Sequence, residues 1–236
     1  MLDSAGWTDT SDTALALLTA GERDRAGRFR FAQDRSTYVL AHACWRVILG
    51  RVLGVPADAV PLRIALAGQP TLPGTGFATS LSHSGSWVAI AIACASTVGL
   101  DIETSPARAT LGQLAGSICT QAEIAALEKL SATDREPAML ALWTRKEALL
   151  KAFGCGLRTE PSSVSASPDE PLEPPLYAPV RTPCCVRNFD LPAPLVGALA
   201  TPSAVQFTST IYRLEPLGGI DSAFCKAYAA TRSLRL

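Results

Sequence analysis

Trp143-Thr-Arg-Lys-Glu-Ala-Leu-Leu-Lys151 holds two of the chain's four lysines within six residues, with Glu147 between them. At about 100° per residue, Met139, Leu142, Trp143, Leu149, Leu150 and Phe153 fall on one helical face, and Lys146 projects from the middle of that apolar stripe. Glu147 and Lys151, four apart, share its flank. An ammonium on an apolar face must snorkel to water or meet a partner, because burying it unpaired costs several kcal/mol. Two readings are open from this segment alone. One is a snorkelling lysine beside an ordinary surface pair worth about 0.2–0.5 kcal/mol; the other is a helix whose charged groups serve a ligand.

Working outward, the helix is expected over 137–153, with Gly154-Cys-Gly156 as its stop. Thr120-Gln-Ala-Glu123 fits a capping box opening another helix through Leu130. Further upstream, Val98-Gly-Leu-Asp-Ile-Glu103 reads as a strand with Val98, Leu100 and Ile102 on one face and Asp101 and Glu103 on the other, roughly 7 Å apart along it. Two carboxylates side by side repel unless something positive lies between them. A hard divalent cation such as Mg²⁺ does this well, since it takes oxygen ligands and keeps waters for phosphate substrates. A strand end emerging into solvent, with both carboxylates hydrated, explains the pattern equally.

The first half opens with helical segments at Ala14–Leu18 and Glu22–Phe31, the second strongly basic (Arg23, Arg25, Arg28, Arg30), a pattern that also suits a solvated helix face. Asp34 is placed as N-cap of a long helix from Arg35 to about Leu53, stopped by Gly54-Val-Pro56. Residues 60–67 look strand-like, Gly68-Gln-Pro70 makes a turn, and Trp87–Ala93 reads as a buried strand. From Thr159 to Pro183 the chain is rich in proline, serine and acid, which reads as a long surface connection or as irregular edge strands. Short strands are expected at 194–201 and 205–214, and a last helix at Ser222–Ser233.

At 236 residues the chain is long enough for one large domain or two of about 100–120. Helices, a Pro/Gly-rich stretch and a short Ala-rich strand recur in each half, at Trp87–Ala93 and again at Leu195–Ala200. This echo suggests an internal duplication with a seam near residue 100, dividing the chain into halves 1–100 and 101–236. The carboxylate strand lies at that seam, a common location for a ligand cleft. Formal net charge is zero, which argues against bulk attraction to nucleic acid or an anionic membrane. The longest apolar run, Trp87–Ala95, is too short for a membrane-spanning helix, and the first residues lack the basic start and apolar core of a signal peptide. Seven cysteines at irregular spacings fit reduced thiols, and two histidines exclude a histidine-rich metal site. A cytoplasmic protein is the expectation.

Three stretches together resemble the Sfp-type 4′-phosphopantetheinyl transferases: Leu81-Ser-His-Ser-Gly85, Val98-Gly-Leu-Asp-Ile-Glu103 and Trp143-Thr-Arg-Lys-Glu-Ala-Leu-Leu-Lys-Ala-Phe-Gly-Cys-Gly-Leu157. Any one is a weak signal; in this order the combination is specific. The wider likeness runs from about Glu22 to Leu157. It implies an α/β fold of two similar halves related by a pseudo-two-fold axis, with coenzyme A and a divalent cation in the cleft between them. The implied protein is a monomer that moves the phosphopantetheine arm of coenzyme A onto a serine of an apo acyl or peptidyl carrier protein, with 3′,5′-ADP released. The same resemblance assigns Asp101, Glu103 and Glu147 to Mg²⁺ (or Mn²⁺), with Glu147, Asp101 and Lys151 as the catalytic groups. It gives Ser82 and His83 to a coenzyme A phosphate, Lys146 and Lys151 to the pyrophosphate, Arg25 to the 3′-phosphate, and Gln69 and Pro70 to the adenine end. By the same analogy the carrier's docking surface is apolar and lies near residues 106–125.

The physical fit is good, because phosphoryl transfer is mostly positioning and charge neutralisation. The nucleophile belongs to the partner, so no Ser-His-Asp set is needed here. Two positions depart from the family pattern: Gln69 stands where a lysine is common, and Glu22 where some relatives carry a basic residue. Two other readings compete. A Mg²⁺-dependent phosphohydrolase would use the same carboxylates but lacks a phosphate-binding Gly-rich loop or a second acidic cluster. A non-catalytic coenzyme A or carrier-protein binding module would have little use for Asp101, Glu103, Lys146, Glu147 and Lys151 together.

Overall fold

In a computed structural model of the chain, residues 1–7, 11–65, 67–107, 111–206 and 208–216 are described. The elements in order are β1 (Leu2–Asp3), α1 (Ser11–Ala16), α2 (Ala20–Gly27), α3 (Ala32–Leu53), β2 (Arg63–Ile64), β3 (Pro70–Thr71), β4 (Ala78–Ser84) and β5 (Trp87–Ala93). They continue with β6 (Gly99–Thr104), α4 (Ala115–Ile118), α5 (Gln121–Glu128), α6 (Ala132–Phe153), β7 (Cys184–Phe189) and β8 (Leu195–Pro202). Helix and sheet are mixed along the chain, an α/β fold as the sequence pattern predicts. The described residues group into two compact units, one from 1–62, 85–88 and 208–216, the other from 63–84 and 89–206.

The first unit is built on α3. Gly54, at φ 70°, ends that helix in the left-handed conformation that glycine adopts without a Cβ penalty. Its start differs from the expectation: Ala32 is the first helical residue, Phe31 is the cap without a side-chain bond, and Asp34 lies inside the first turn. An acid there still favours the positive end of the helix. Thr19 and Glu22 form a reciprocal capping box at α2.

The second unit contains the three-stranded sheet β6-β8-β7, antiparallel throughout, against which α6 packs. Strand β7 lay inside no predicted element. Among the described residues of the stretch 205–214 there is no strand; Leu214 makes an isolated bridge to Leu2 in the first unit. The expected final helix at Ser222–Ser233 lies outside the described residues. Helix α6 begins at Ala132, five residues before Pro137, under a Ser131 cap whose hydroxyl accepts from Asp134 N–H. It ends at Gly154 (φ 72°), as expected. Proline sits in the second turn, where only one intrahelical bond is lost.

Strand β6 lies hard against α6. A Cβ at Gly99 would stand 1.9 Å from the Ala148 carbonyl oxygen and 2.6 Å from the Ala152 nitrogen, so only glycine allows this approach. Ala148 and Ala152, four apart and fully buried, give α6 the flat face that receives the strand. Around that contact Leu140, Leu149, Leu150, Phe153, Val186 and Ala198 form the core. Gly99, Asp101 and Glu103 alternate onto one strand face, so the contact at Gly99 brings both acids toward the helix that carries Glu147 and Lys151.

Candidate functional site

Within the second unit, Asp101 and Glu103 on β6 meet Glu147 and Lys151 on α6 and Ser82 and Ser84 on β4. Asp101 is 4% exposed. Its Oδ1 accepts from Lys151 Nζ at 2.7 Å and from Ser82 Oγ at 2.8 Å, whereas Oδ2 is buried without a hydrogen-bond partner. Glu103 Oε2 accepts from Ser84 Oγ at 2.7 Å. Glu147 Oε1 is also buried without a partner. Burial pushes the Glu147 carboxyl up to about 7; Lys151 opposes this, while the charges of Asp101 and Glu103 add to it.

Lys151 is the cation of this group. Its Nζ donates to Asp101, to the Leu100 carbonyl at 3.1 Å and to Ser82 Oγ at 3.2 Å, and 28% of its side chain remains exposed. Among the described residues, no three His, Cys, Asp or Glu side chains converge as a ready-made metal cage. The ammonium of Lys151 already neutralises Asp101. The donor set nonetheless suits a hard cation: all oxygen, three carboxylates, with two buried oxygens lacking any proton to accept.

Lys146, expected at the pyrophosphate, is placed in the core against an acid. It has 0% exposure and pairs with Glu123 Oε2 at 2.6 Å. The same ammonium donates to the carbonyls of Pro161 (3.0 Å) and Val164. Burial lowers its pKa, against the pull of Glu123. Glu123 in turn caps α5 through Thr120 N–H at 2.7 Å and takes Ala166 N–H at 2.9 Å on its other oxygen. One carboxylate thus ties α5, α6 and the 161–166 segment together, and Lys146 is a core cation. The capping-box reading found Glu123; nothing local in the sequence revealed that its charge was destined for Lys146.

Ser82 is likewise turned inward, 5% exposed, its hydroxyl committed to Asp101, Ile102 N–H and Lys151. Where a phosphate contact is expected, the structure gives the Ser82 hydroxyl to a carboxylate. His83 alternates to the opposite face of β4 and is exposed. Gln69 Nε2 donates to the Ala152 carbonyl at 3.4 Å, and its amide lies where a side chain on Gly154 would clash. The residue replacing the family's common lysine therefore helps close the C-terminus of α6, while Pro70 is half-buried in β3. Near the start of α6, Leu111, Ile124, Leu127 and Met139, with Arg135 and Glu136, line a cavity of about 580 Å³.

In the first unit, Arg25 and Arg28 line a separate cavity of about 410 Å³ with Phe29, and Arg25 sits 5.6 Å over the Tyr38 ring. Glu22 accepts from Arg46 Nε at 2.8 Å and stands 3.2 Å from His42 Nδ1. Burial alone would push its carboxyl up, but the bonds from His42, Arg46 and Thr19 outweigh that and hold it well below the usual carboxylate range. The acid at this departure from the family pattern is spent on its own helix cap and on Arg46.

Two family models match most of the chain. Residues 6–95 match that of the 4′-phosphopantetheinyl transferase N-terminal region, and residues 97–193 that of the 4′-phosphopantetheinyl transferase superfamily. The chain is 32% identical over 164 residues to 4′-phosphopantetheinyl transferase HetI of a Nostoc species, covering 67% of this chain and 69% of that one. It is 30% identical to 4′-phosphopantetheinyl transferase psf-1 of Bacillus pumilus, over 72% of each chain. Against L-aminoadipate-semialdehyde dehydrogenase-phosphopantetheinyl transferase of Mus musculus it is 26% identical, over 62% of this chain and 52% of the relative. The chain belongs to the 4′-phosphopantetheinyl transferase superfamily and is a transferase.

Proposed function

We propose that this protein moves the 4′-phosphopantetheine arm of coenzyme A onto a serine hydroxyl of an apo acyl or peptidyl carrier protein, releasing 3′,5′-ADP, with a divalent cation held by Asp101, Glu103 and Glu147. The observation that carries the cation assignment is the pair of buried, unpartnered oxygens, Asp101 Oδ2 and Glu147 Oε1, beside a third carboxylate. Buried acceptors without donors cost free energy that a cation would recover. The names of the relatives support the reaction class.

In the transfer, the serine oxygen forms a bond to the phosphorus that bears the pantetheine arm, and the bond from that phosphorus to the bridging oxygen breaks. The electron pair leaves on 3′,5′-ADP. A bound Mg²⁺ or Mn²⁺ would supply neutralisation of the pyrophosphate charge. Lys151, partly exposed and already oriented by Asp101, Ser82 and the Leu100 carbonyl, adds a positive charge for the phosphate oxygens. The serine proton goes to Glu147, whose burial makes it more basic than an ordinary carboxylate. Holding a cation lowers that basicity, so the two duties pull Glu147 in opposite directions. The carrier is assigned to the apolar cavity lined by Leu111, Ile124, Leu127 and Met139, and Arg25 to an anionic group of coenzyme A.

The test is incubation with coenzyme A, Mg²⁺ and an apo carrier protein, followed by intact mass of the carrier. One added phosphopantetheine is expected, with none for Asp101→Ala or Glu147→Ala, both folded. Unchanged turnover in either variant would remove the metal assignment. Tight coenzyme A binding with no mass gain on several carriers would make the chain a binding module.

A further inference from the structure

Strand β6 is an edge strand: in the order β6-β8-β7 it pairs with β8 on one side only. Its outward N–H groups therefore need partners that no neighbouring backbone among the described residues supplies. Three serines on alternate positions of β4 provide them. Leu100 N–H donates to Ser80 Oγ at 3.0 Å, Ile102 N–H to Ser82 Oγ at 3.3 Å, and Thr104 N–H to Ser84 Oγ at 3.1 Å. All three serines are buried. Side-chain oxygens at a period of two thus stand in for a row of carbonyls.

A hydroxyl differs from a carbonyl in having a proton to give. With its lone pairs engaged by backbone N–H, and at Ser82 also by Lys151, the direction of that proton is constrained. Ser82 gives it to Asp101 Oδ1 and Ser84 to Glu103 Oε2. Each carboxylate is gripped by one oxygen, and at Asp101 the other oxygen, Oδ2, is the buried unpartnered one. Ser80, by contrast, has no carboxylate opposite it, because the matching residue on β6 is Gly99.

We infer that Ser82 and Ser84 are positioning residues which, through the serine ladder on β4, hold Asp101 and Glu103 in the orientation that receives the divalent cation. The inference rests on the cation assignment proposed above. Outer hydrogen-bond partners of metal ligands fix the ligand's orientation and its lone-pair direction, and losing one typically weakens metal binding about 10–100-fold. Ser80 makes the same backbone bond without touching a carboxylate and serves as the internal control.

The experiment is Mn²⁺ titration followed by electron paramagnetic resonance, with coenzyme A present, on the wild type and on Ser84→Ala, Ser84→Thr, Ser80→Ala and Asp101→Ala, each checked by circular dichroism and thermal melting. Ser84→Ala is expected to weaken Mn²⁺ at least about tenfold, and Ser84→Thr, which keeps the hydroxyl, to restore it. Ser80→Ala should lower the melting temperature and leave Mn²⁺ affinity unchanged. If wild type binds Mn²⁺ and Asp101→Ala does not, but Ser84→Ala binds as wild type, the ladder is only structural and the inference falls while the cation assignment stands. Equal weakening in Ser80→Ala and Ser84→Ala overturns the inference as well, because general loosening then explains both. A wild type that takes up no Mn²⁺ removes the cation assignment itself, and the ladder's role with it.

Discussion

Glu147→Gln, assayed without divalent cation, should stabilise this protein at alkaline pH. A carboxyl that ionises at 4.5 in the unfolded chain and at about 7 in the fold makes the native state the stronger proton binder between those values. Stability therefore falls as pH rises through that window. At about 1.4 kcal/mol per pH unit, the raised pKa costs about 3 kcal/mol at pH 8, where the native carboxyl is ionised, and about 1.4 kcal/mol at pH 5.5, where it stays protonated while the unfolded chain's is ionised. The difference between the two pH values is therefore about 1–2 kcal/mol, the lower end allowing for the water that reaches the half-buried Glu147. The neutral amide keeps the shape and loses the pH-dependent cost. Urea denaturation in EDTA at both pH values, on wild type and variant, gives the comparison. The variant's advantage should grow by about 1–2 kcal/mol from pH 5.5 to 8, or roughly 2–8 °C in Tm for a chain of this size. A variant no more stable than wild type at pH 8, or an advantage that shrinks as pH rises, would refute the argument that burial and the neighbouring acids strain this carboxylate.

Lys146→Met should cost about 3–5 kcal/mol, because it strands the buried carboxylate of Glu123. Denaturant midpoints check this; a variant of ordinary stability with a raised KM for coenzyme A would return Lys146 to the phosphate. Gly99→Ala should unfold the second unit or cost at least about 1–3 kcal/mol, since the new methyl meets helix backbone that cannot give way. A native-like melting curve would mean that β6 and α6 can separate cheaply. Gln69→Ala should lower Tm by a few degrees through the lost bond to the Ala152 carbonyl, worth about 1 kcal/mol; no change in Tm alongside a raised KM for coenzyme A would instead assign the amide to the nucleotide.

Much of the site was legible in residue order. The alternation of Val98–Glu103 put two acids on one strand face, the four-residue spacing of Glu147 and Lys151 put them on one helix flank, and the structure brings the four together. The stops at Gly54 and Gly154 and the Thr120–Glu123 box also followed from local chemistry. What residue order did not reveal has one reason, that the partner of a side chain is a long-range fact. Lys146 and Ser82 were assigned to phosphates because both occur in motif stretches, yet Glu123, 23 residues away in sequence, claims one and Asp101, 19 residues away, the other. Strand β7 escaped because Cys184–Phe189 has no run of alternating apolar residues and is recruited by its pairing with β8.

Sequence by itself determined the α/β class, the family, and the list of charged groups from which a site could be made. Periodicity and residue chemistry are local properties, written in the order of the chain. Only the tertiary structure decided which cation neutralises which acid: Lys151 beside Asp101, where water still reaches it, and Lys146 against Glu123, sealed in the core. Gly99 is the physical cause of the first of these pairings. By letting β6 settle on the backbone of α6, it brings the acids of the strand within reach of the helix's lysine, a distance that no spacing in the sequence could state.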